Sequence, residues 1–270
     1  MLPKSDSNER PITPQHYTVY EPYRSVEEYG PGQSNEAATL VAAAPPGATF
    51  TEFAENQEER CPILLVLDCS WSMNGEPMRE LREAVEQFRR DVTEDPSIAA
   101  KVDVGVVTFN NMARFYDFVN SELFTMPETN AEGGTIISFP MELALDLCEK
   151  RKDNYRENGI AYHRPWIVLI TDGLPDHDNM GRIRDMQERL KGAEEKRRAA
   201  TFTIACGPKS GETAQWLTDN LTPPGRPAKQ VHEYEFKELF RWLSNSQIAL
   251  SKSSPGERVE LPSTEGWEIV

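Results

Sequence analysis

Hydrophobic residues form short uninterrupted runs that predict buried β-strands. The clearest run covers residues 63–67, and similar runs fall within residues 101–109, 166–173 and 201–205. Runs that are apolar on both faces are typical of a parallel sheet covered by helices on both sides. Residues 231–234 form a weaker run, which we interpret as the last strand.

Between these runs, apolar residues recur at intervals of three and four, which predicts amphipathic helices that face a core. Met78, Leu81 and Val85 show this pattern after Pro77, whose missing N–H costs nothing in a first helical turn. Further helices are predicted to carry Met141 to Leu147, to cover residues 181–198, to pass through Trp216 and Leu217, and to cover residues 236–248.

One short run, residues 114–119, follows Asn110-Asn111 and predicts a strand antiparallel to its neighbour. Elsewhere strands alternate with helices over long crossovers. We therefore expect a doubly wound α/β fold, with a mostly parallel sheet, one antiparallel edge strand and helices on both faces. A single domain over residues 60–250 accounts for the whole pattern.

The two ends of the chain lack this periodicity. Residues 1–59 contain three basic and ten acidic residues among many Pro, Gly, Ser and Ala, which predicts a flexible acidic segment. Four tyrosines in it favour the alternative that it docks on the domain or on a partner: Tyr17, Tyr20, Tyr23 and Tyr29. Residues 251–270 are expected to form a C-terminal tail that packs on the domain, with Trp267 as a contact.

Composition narrows the classes of partner. The net charge of -15 argues against nucleic acid and anionic membranes, because both require a basic surface. No apolar run approaches the roughly 20 residues of a membrane span, and no apolar stretch follows Lys4 and Arg10 as in a signal peptide. The four cysteines are widely spaced without a Cys-x-x-Cys pair, so we expect free thiols and a cytoplasmic location.

Oxygen-bearing side chains follow three of the predicted elements. Asp68, Ser70 and Ser72 come after the first strand, Thr135 follows Gly133-Gly134, and Asp172 follows the strand in residues 166–173. Ligands bind at the carboxyl ends of strands in such sheets, and hard oxygen ligands suit a small divalent cation. Taken singly, these carboxylates and hydroxyls are equally typical of helix N-caps, and the glycines of a plain turn.

Together, these residues resemble the metal-ion-dependent adhesion site of von Willebrand factor type A domains. That pattern is Asp-x-Ser-x-Ser after the first strand, a Thr in a later loop and an Asp after the fourth strand, and all five positions match. The resemblance implies a metal site of Asp68, Ser70, Ser72, Thr135 and Asp172, in which the two carboxylates often act through water. It implies Mg²⁺, with Ca²⁺ or Mn²⁺ as alternatives, and an open position for an acidic residue of a protein partner.

Several stretches are similar to the TerY-like bacterial branch of this family: Gly75-Glu76-Pro77 and residues 166–173, 240–244, 251–256 and 259–262. The likeness covers residues 60–267. It implies a place in tellurium-resistance or stress systems, beside a protein kinase and a PP2C-type phosphatase. Trp71 departs from the family, which usually has glycine there. Its ring is expected either to crowd the open face of the metal or to form part of the recognition surface.

An enzyme is the alternative class. A metal-dependent hydrolase or phosphotransferase would use Asp68 as nucleophile, but such enzymes need a second Asp where this chain has Ser70. No Gly-x-Ser-x-Gly or Gly-x-x-x-x-Gly-Lys-[Ser/Thr] motif occurs, and His177 is the one histidine expected near the site. We therefore expect a non-enzymatic binding module. A third hypothesis is that a terminal carboxylate of the chain itself blocks the metal.

Overall fold

A mixed sheet runs through the part of the chain described by the computed structural model, which is residues 17–20, 39–40, 48–176, 178–223, 225–264 and 268. Its strands are β1 (Thr18–Tyr20), β2 (Thr39–Leu40), β3 (Cys61–Asp68), β4 (Val102–Phe109), β5 (Ala113–Asn120), β6 (Trp166–Thr171), β7 (Ala200–Ala205) and β8 (Lys229–Gln230). They lie in the order β2-β1-β5-β4-β3-β6-β7-β8.

The strands from β4 through β3, β6 and β7 to β8 are parallel, as expected for apolar runs joined by helical crossovers. β5 pairs antiparallel with β4. β1 and β2 continue this antiparallel edge, with residues from the acidic segment that the sequence pattern does not single out as strands. The doubly wound, mostly parallel α/β fold with an antiparallel edge is confirmed.

Helices cover both faces of the sheet. They are α1 (Ala48–Glu55), α2 (Glu76–Thr93), α3 (Pro96–Ala99), α4 (Ser138–Glu157), α5 (Met180–Glu195), α6 (Ser210–Asn220) and α7 (Phe236–Ser251). Alternate residues of β3 point into two cores: Ile63, Leu65 and Leu67 pack with α2 and α7, while Leu64 and Val66 pack with α4 and α5. Within the described residues, no helix is long and apolar enough to cross a membrane.

The prediction of a strand at residues 231–234 is wrong. β8 ends at Gln230, and beyond it the backbone turns, with Glu233 at a positive φ of 46°. The Gly207 N–H donates a hydrogen bond to the Glu233 carbonyl at 2.5 Å. This bond draws the segment across the carboxyl end of β7 instead of along it. The turn places Tyr234 beside the candidate site.

Parts of the segment before residue 60 contact the domain. Tyr17 packs its ring against Tyr116 of β5 at a centroid distance of 5.4 Å, and Phe53 of α1 packs edge-on against Tyr155 of α4. The contacts of Tyr23 and Tyr29 lie outside the described residues. The division of the chain at residue 60 stays a prediction.

A buried ionic cluster lies beneath α1, at the amino ends of β3 and β4. Asp103 of β4 accepts hydrogen bonds from Arg151 Nη2 at 2.7 Å and from the Tyr155 hydroxyl at 2.6 Å, and its other oxygen is 3.5 Å from Arg60 Nε. Glu52 of α1 adds a second carboxylate, 2.6 Å from Arg151. Two cations and two anions therefore balance one another in the interior, as burial of charge requires.

The described residues of the C-terminal tail contact the domain. Trp242 Nε1 of α7 donates to the Pro262 carbonyl at 2.8 Å, and Lys229 pairs with Glu268 at 2.5 Å. Trp267 lies outside the described residues. All four cysteines are buried and free.

Candidate metal centre

The carboxyl ends of β3 and β6 bring two carboxylates together. The register pairs Leu67 with Ile170, so that Asp68 and Thr171 lie side by side at the same edge. Asp68 is fully buried; its Oδ1 accepts from the Ser70 N–H at 2.8 Å and its Oδ2 from the Thr171 hydroxyl at 2.5 Å. Burial raises the pKa of Asp68 to about 6, although these hydrogen bonds oppose the shift.

The two serine hydroxyls are turned toward each other by a short 3₁₀ helix, Trp71–Met73. Ser70 Oγ lies 3.1 Å from Ser72 Oγ, and Ser72 Oγ donates to Asp172 Oδ1 at 2.6 Å. Ser70, Ser72 and Asp172 thus form a continuous chain of oxygens across two strand ends. Asp68 joins it through the backbone of Ser70.

The loop that carries Thr135 is fixed by hydrogen bonds to its neighbours. Gly133 has a φ of 74°, and its carbonyl accepts from the Trp71 N–H at 3.0 Å. The Asn111 side chain accepts from the Gly134 N–H at 2.6 Å, and the Thr135 carbonyl accepts from the Asp176 N–H at 2.7 Å. Thr135 Oγ1 lies next to Gly173, where an added Cβ would be 3.6 Å from it. All five predicted residues therefore lie at the end of the sheet where the carboxyl ends of β3 and β6 meet.

Helix capping does not account for these side chains. The N-cap of α2 is Gly75, and that of α5 is Asn179, whose side chain accepts from two backbone N–H groups. Ser70 precedes the 3₁₀ helix, but its side chain makes no capping hydrogen bond. The capping alternative for the two serines and Asp172 is wrong, which leaves their oxygens directed at one another.

Two residues that support the candidate site, Asp178 and Tyr234, could not be predicted from sequence motifs. The Asp178 carboxylate accepts from the Ile137 and Ser138 N–H groups at 2.9 and 2.8 Å, and so holds the start of α4 against the loop after β6. The Tyr234 hydroxyl is 3.2 Å from Asp172 Oδ2. Burial, and then the charge of Asp172, raises the pKa of Tyr234, so the phenol keeps its proton and donates.

The donor set fits a small, hard divalent cation. Oxygen ligands in adjacent octahedral positions around Mg²⁺ are about 2.9 Å apart for metal–oxygen distances of roughly 2.0–2.1 Å. The separation of 3.1 Å between the two serine hydroxyls is close to that value. In the part of the chain that the structure describes, no group of three or more His, Cys, Asp or Glu side chains is placed to hold a metal. A cation here would therefore depend on hydroxyl oxygens beside two carboxylates.

Two exposed apolar side chains lie close along the chain to the candidate metal residues. Trp71 stands between the two serines with 67% of its surface exposed, and Leu174, two residues after Asp172, is 42% exposed. Ser72 is exposed, whereas Ser70, Thr135 and Asp172 are buried. The indole therefore projects into solvent, and it does not fill the site.

Fold and site together define a doubly wound α/β domain with a hydroxyl-rich oxygen cluster at the carboxyl edge of its sheet. The family model of the von Willebrand factor type A domain matches residues 63–241, and the chain belongs to this family. No curated protein sequence matches the chain significantly.

The structure of a pilus adhesin shows the same fold at low sequence identity, and two further solved structures match with lower scores. The pilus adhesin SpaC from Lactobacillus rhamnosus GG, in its open conformation, matches with a TM-score of 0.53 and 11% identity, over 72% of this chain and 31% of that protein. The ArnB paralog VWA2 from Sulfolobus acidocaldarius has a TM-score of 0.42 and 14% identity, over 71% and 46% of the two chains. Manganese-loaded TRAP from Plasmodium vivax has a TM-score of 0.39 and 15% identity, over 74% and 75%. The chain thus spans less than a third of the SpaC adhesin.

Proposed function

We propose that this chain is a non-enzymatic, metal-dependent protein-binding module. The observation that carries the proposal is the chain of contacts from Ser70 through Ser72 to Asp172, which joins hydroxyls and a carboxylate from elements 100 residues apart. Asp68, Ser70, Ser72, Thr135 and Asp172 are the proposed metal residues. When bound, the cation supplies an electrophilic position that a partner's carboxylate can occupy.

Each residue has a distinct task in this proposal. Asp68 is buried and hydrogen-bonded through both oxygens, so it orients the Ser70 loop and contributes negative charge from the buried side of the site. Tyr234 orients Asp172, which in turn holds the Ser72 hydroxyl. Two carboxylates beside neutral hydroxyls leave the site receptive to one more anionic group. Mg²⁺ is the ion we propose, with Ca²⁺ and Mn²⁺ as alternatives.

The same geometry argues against the enzymatic alternative. A nucleophilic carboxylate must reach a substrate, but both oxygens of Asp68 are buried and accept hydrogen bonds. Ser70 stands where a phosphotransferase would need a general acid, and a serine hydroxyl does not titrate in the required range. His177 lies outside the described residues.

Trp71 and Leu174 indicate the chemistry of the partner. An exposed indole beside the open side of a metal site is suited to anchor a binding interface, where aromatic residues contribute most of the free energy. We propose that the partner presents a Glu or Asp flanked by an apolar residue. The negative net charge disfavours nucleic acid as the partner.

The cellular setting rests on the sequence motifs alone. Their likeness to the TerY-like branch supports a bacterial, cytoplasmic module in a tellurium-resistance or stress complex, with a kinase and a PP2C-type phosphatase as partners. Capture of such a kinase or phosphatase in Mg²⁺, and its loss in EDTA, is the expected result. Equal capture in both conditions would contradict the metal-dependent part of the proposal.

Calorimetric titration of Mn²⁺ tests the site itself. The wild-type chain is expected to bind one ion, and Ser72→Ala to weaken binding at least tenfold, because it removes one hydroxyl and the hydrogen-bond donor to Asp172. Ser97→Ala is the matched control, since Ser97 is an exposed serine in α3 whose hydroxyl and N–H donate only to the side chain of the N-cap residue Asp95. Equal affinities in all three proteins, or no binding to the wild type, would refute the site.

A further inference from the structure

A cavity of about 410 Å³ lies at the end of the sheet opposite the candidate metal centre. The first residues of β6 and β7, Trp166 and Ala200, line it from the sheet, and Leu250 of α7 and residues 256–259 of the tail close it from the other side. Its volume falls within the range of about 300–1,000 Å³ that is typical of small-molecule sites.

The charge of this cavity is opposite to that of the protein. Six basic residues and one acidic residue line it, in a chain whose net charge is -15. The basic residues come from five separate parts of the chain and meet only in the fold: Lys152, Arg164, Arg197, Arg198, Arg226 and Arg258. This concentration of positive charge marks the cavity off from the surface around it.

Ion pairs involve only three of these six residues, and those three share two carboxylates. Arg164 and Arg226 share the carboxylate of Glu194, each at 2.9 Å, and Lys152 pairs with Glu149 at 2.7 Å. Arg197, Arg198 and Arg258 make no ion pair with another described residue, and all three are exposed. The electrostatic repulsion among the cavity arginines is therefore incompletely compensated.

Two buried nitrogen atoms at the cavity also lack partners. His163 is 2% exposed, and its Nε2 makes no hydrogen bond to any described residue; the same holds for Arg164 Nε. Burial lowers the pKa of Arg164, and after the opposing attraction of Glu194, repulsion from Arg226 and Arg197 acts in the same direction. An anion in the cavity would relieve this repulsion among the arginines.

We propose that this cavity binds a small phosphate-bearing ligand with at least two negative charges. Guanidinium groups match the geometry of phosphate oxygens through paired N–H donors, and three uncompensated arginines favour a dianion or a more highly charged group. Pro165, Leu250 and Leu261 give the cavity an apolar wall for an organic part of the ligand. The site is separate from the metal centre and does not depend on the proposed function.

Calorimetric titration with inorganic pyrophosphate and with ATP tests the proposal. EDTA is present throughout, so that no metal at the opposite end contributes. The wild-type chain is expected to bind one molecule at physiological ionic strength. Arg197→Glu with Arg258→Glu should weaken binding at least tenfold, since both side chains are exposed cavity residues without an ion pair.

A charge-matched variant controls for general electrostatics. Lys196→Glu with Lys252→Glu changes the net charge equally, at exposed residues outside the cavity, and should leave affinity within twofold. Arg197→Gly with Arg258→Gln is a second test variant if the charge reversals disturb folding, because glycine adopts the φ of 54° at residue 197 without strain.

The outcomes separate the sources of the phosphate group. Binding of both pyrophosphate and ATP would show that the phosphate groups are recognised. Binding of ATP alone would add a role for the apolar wall. Either result supports the site if the cavity variant loses this binding and the control variant keeps it. No binding of either probe, or equal losses in the cavity and control variants, would overturn the proposal.

Discussion

Single hydroxyl groups determine the charge and the ligand chemistry of the candidate site at the carboxyl ends of β3 and β6. Ser70 and Ser72 offer neutral hydroxyl oxygens, whereas an aspartate at either position would add charge and a titratable group. The contacts of Ser72 with Ser70 and Asp172 give these hydroxyls fixed positions before any cation binds. Such preorganisation reduces the entropic cost of binding.

Gly133→Ala tests how strictly the Thr135 loop must be held. Its φ of 74° is unfavourable for a side chain, and a Cβ would lie 2.3 Å from the Asn111 side-chain oxygen that accepts from Gly134. We expect a loss of at least about 1–2 kcal/mol in unfolding free energy and weaker Mn²⁺ binding.

Gly159→Ala is the control for that prediction. It has a similar φ of 70° but nothing within 4 Å of the added Cβ, so it measures the backbone cost alone. Urea unfolding and Mn²⁺ titration of both variants give the comparison. Equal Mn²⁺ affinities would show that the loop conformation is not needed by the site.

Trp71→Ala tests the recognition surface without disturbing the fold. The indole is largely exposed, and the contact of residue 71 with the Thr135 loop is made by its backbone N–H. We expect unfolding free energy to change by less than about 0.5 kcal/mol. Partner affinity should fall by about 2 kcal/mol, roughly thirtyfold, in a pull-down or titration. A variant that binds the partner as the wild type does would assign Trp71 no role in recognition.

The protonation of His163 gives a pH-dependent prediction. Burial lowers the pKa of His163 in the folded chain, while Glu59 and Glu257 oppose this shift and Lys101 adds to it. The unfolded chain therefore binds the proton more readily, so stability is lost as pH falls below about 6.5. His163→Gln should lose less stability than the wild type between pH 7 and pH 5, in parallel urea titrations. Identical losses would contradict a neutral histidine in the folded state.

Sequence and structure agree at the residue scale where local motifs suffice. Asp68, Ser70, Ser72, Thr135 and Asp172 could all be placed at one edge of the sheet, because each directly follows a strand or a glycine turn. Tyr234 and Asp178 could not, since their partners lie 62 and about 40 residues away along the chain. Only the tertiary fold brings such pairs together.

At the scale of elements, helices and strands could be predicted where the pattern of hydrophobic residues is long and regular. β3, β6 and the α2 helix have sustained patterns, and their predicted positions are confirmed within a residue or two. The three-residue strand β1, the two-residue strand β2 and the eight-residue α1 are too short for a period to emerge. α1 instead depends on tertiary contacts, through Phe53 and through Glu52 in the buried ionic cluster.

Asp103→Asn tests how much that cluster depends on its central carboxylate. The substitution keeps the shape but leaves Arg60 and Arg151 with Glu52 as their remaining anion, so we expect a loss of about 3–5 kcal/mol in unfolding free energy. Glu52→Gln should cost only about 1 kcal/mol, because the Glu52 side chain is 21% exposed and water can replace its contact. Urea denaturation of the two variants measures both values. Equal costs would show that α1, and not the interior of the sheet, fixes the arginines.

At the scale of the whole molecule, β6 connects two regions of opposite electrostatic character. It begins at Trp166 beside the basic cavity and ends at Thr171 beside the oxygen cluster. Six extended residues span about 20 Å, which is more than twice the Debye length of about 8 Å at physiological ionic strength. Charge changes at one end should therefore hardly be felt at the other.

This separation predicts that the two sites can be altered independently. Arg197→Glu with Arg258→Glu should leave Mn²⁺ affinity within twofold of the wild-type value, although it makes the chain more negative by four charges. Ser72→Ala should leave pyrophosphate affinity in EDTA equally unchanged, because distant sites with no shared partners are additive. Both affinities are measured by calorimetry at physiological ionic strength and again at low salt. A change of tenfold or more that persists at physiological ionic strength would reveal a coupling through the sheet that screened charges do not explain.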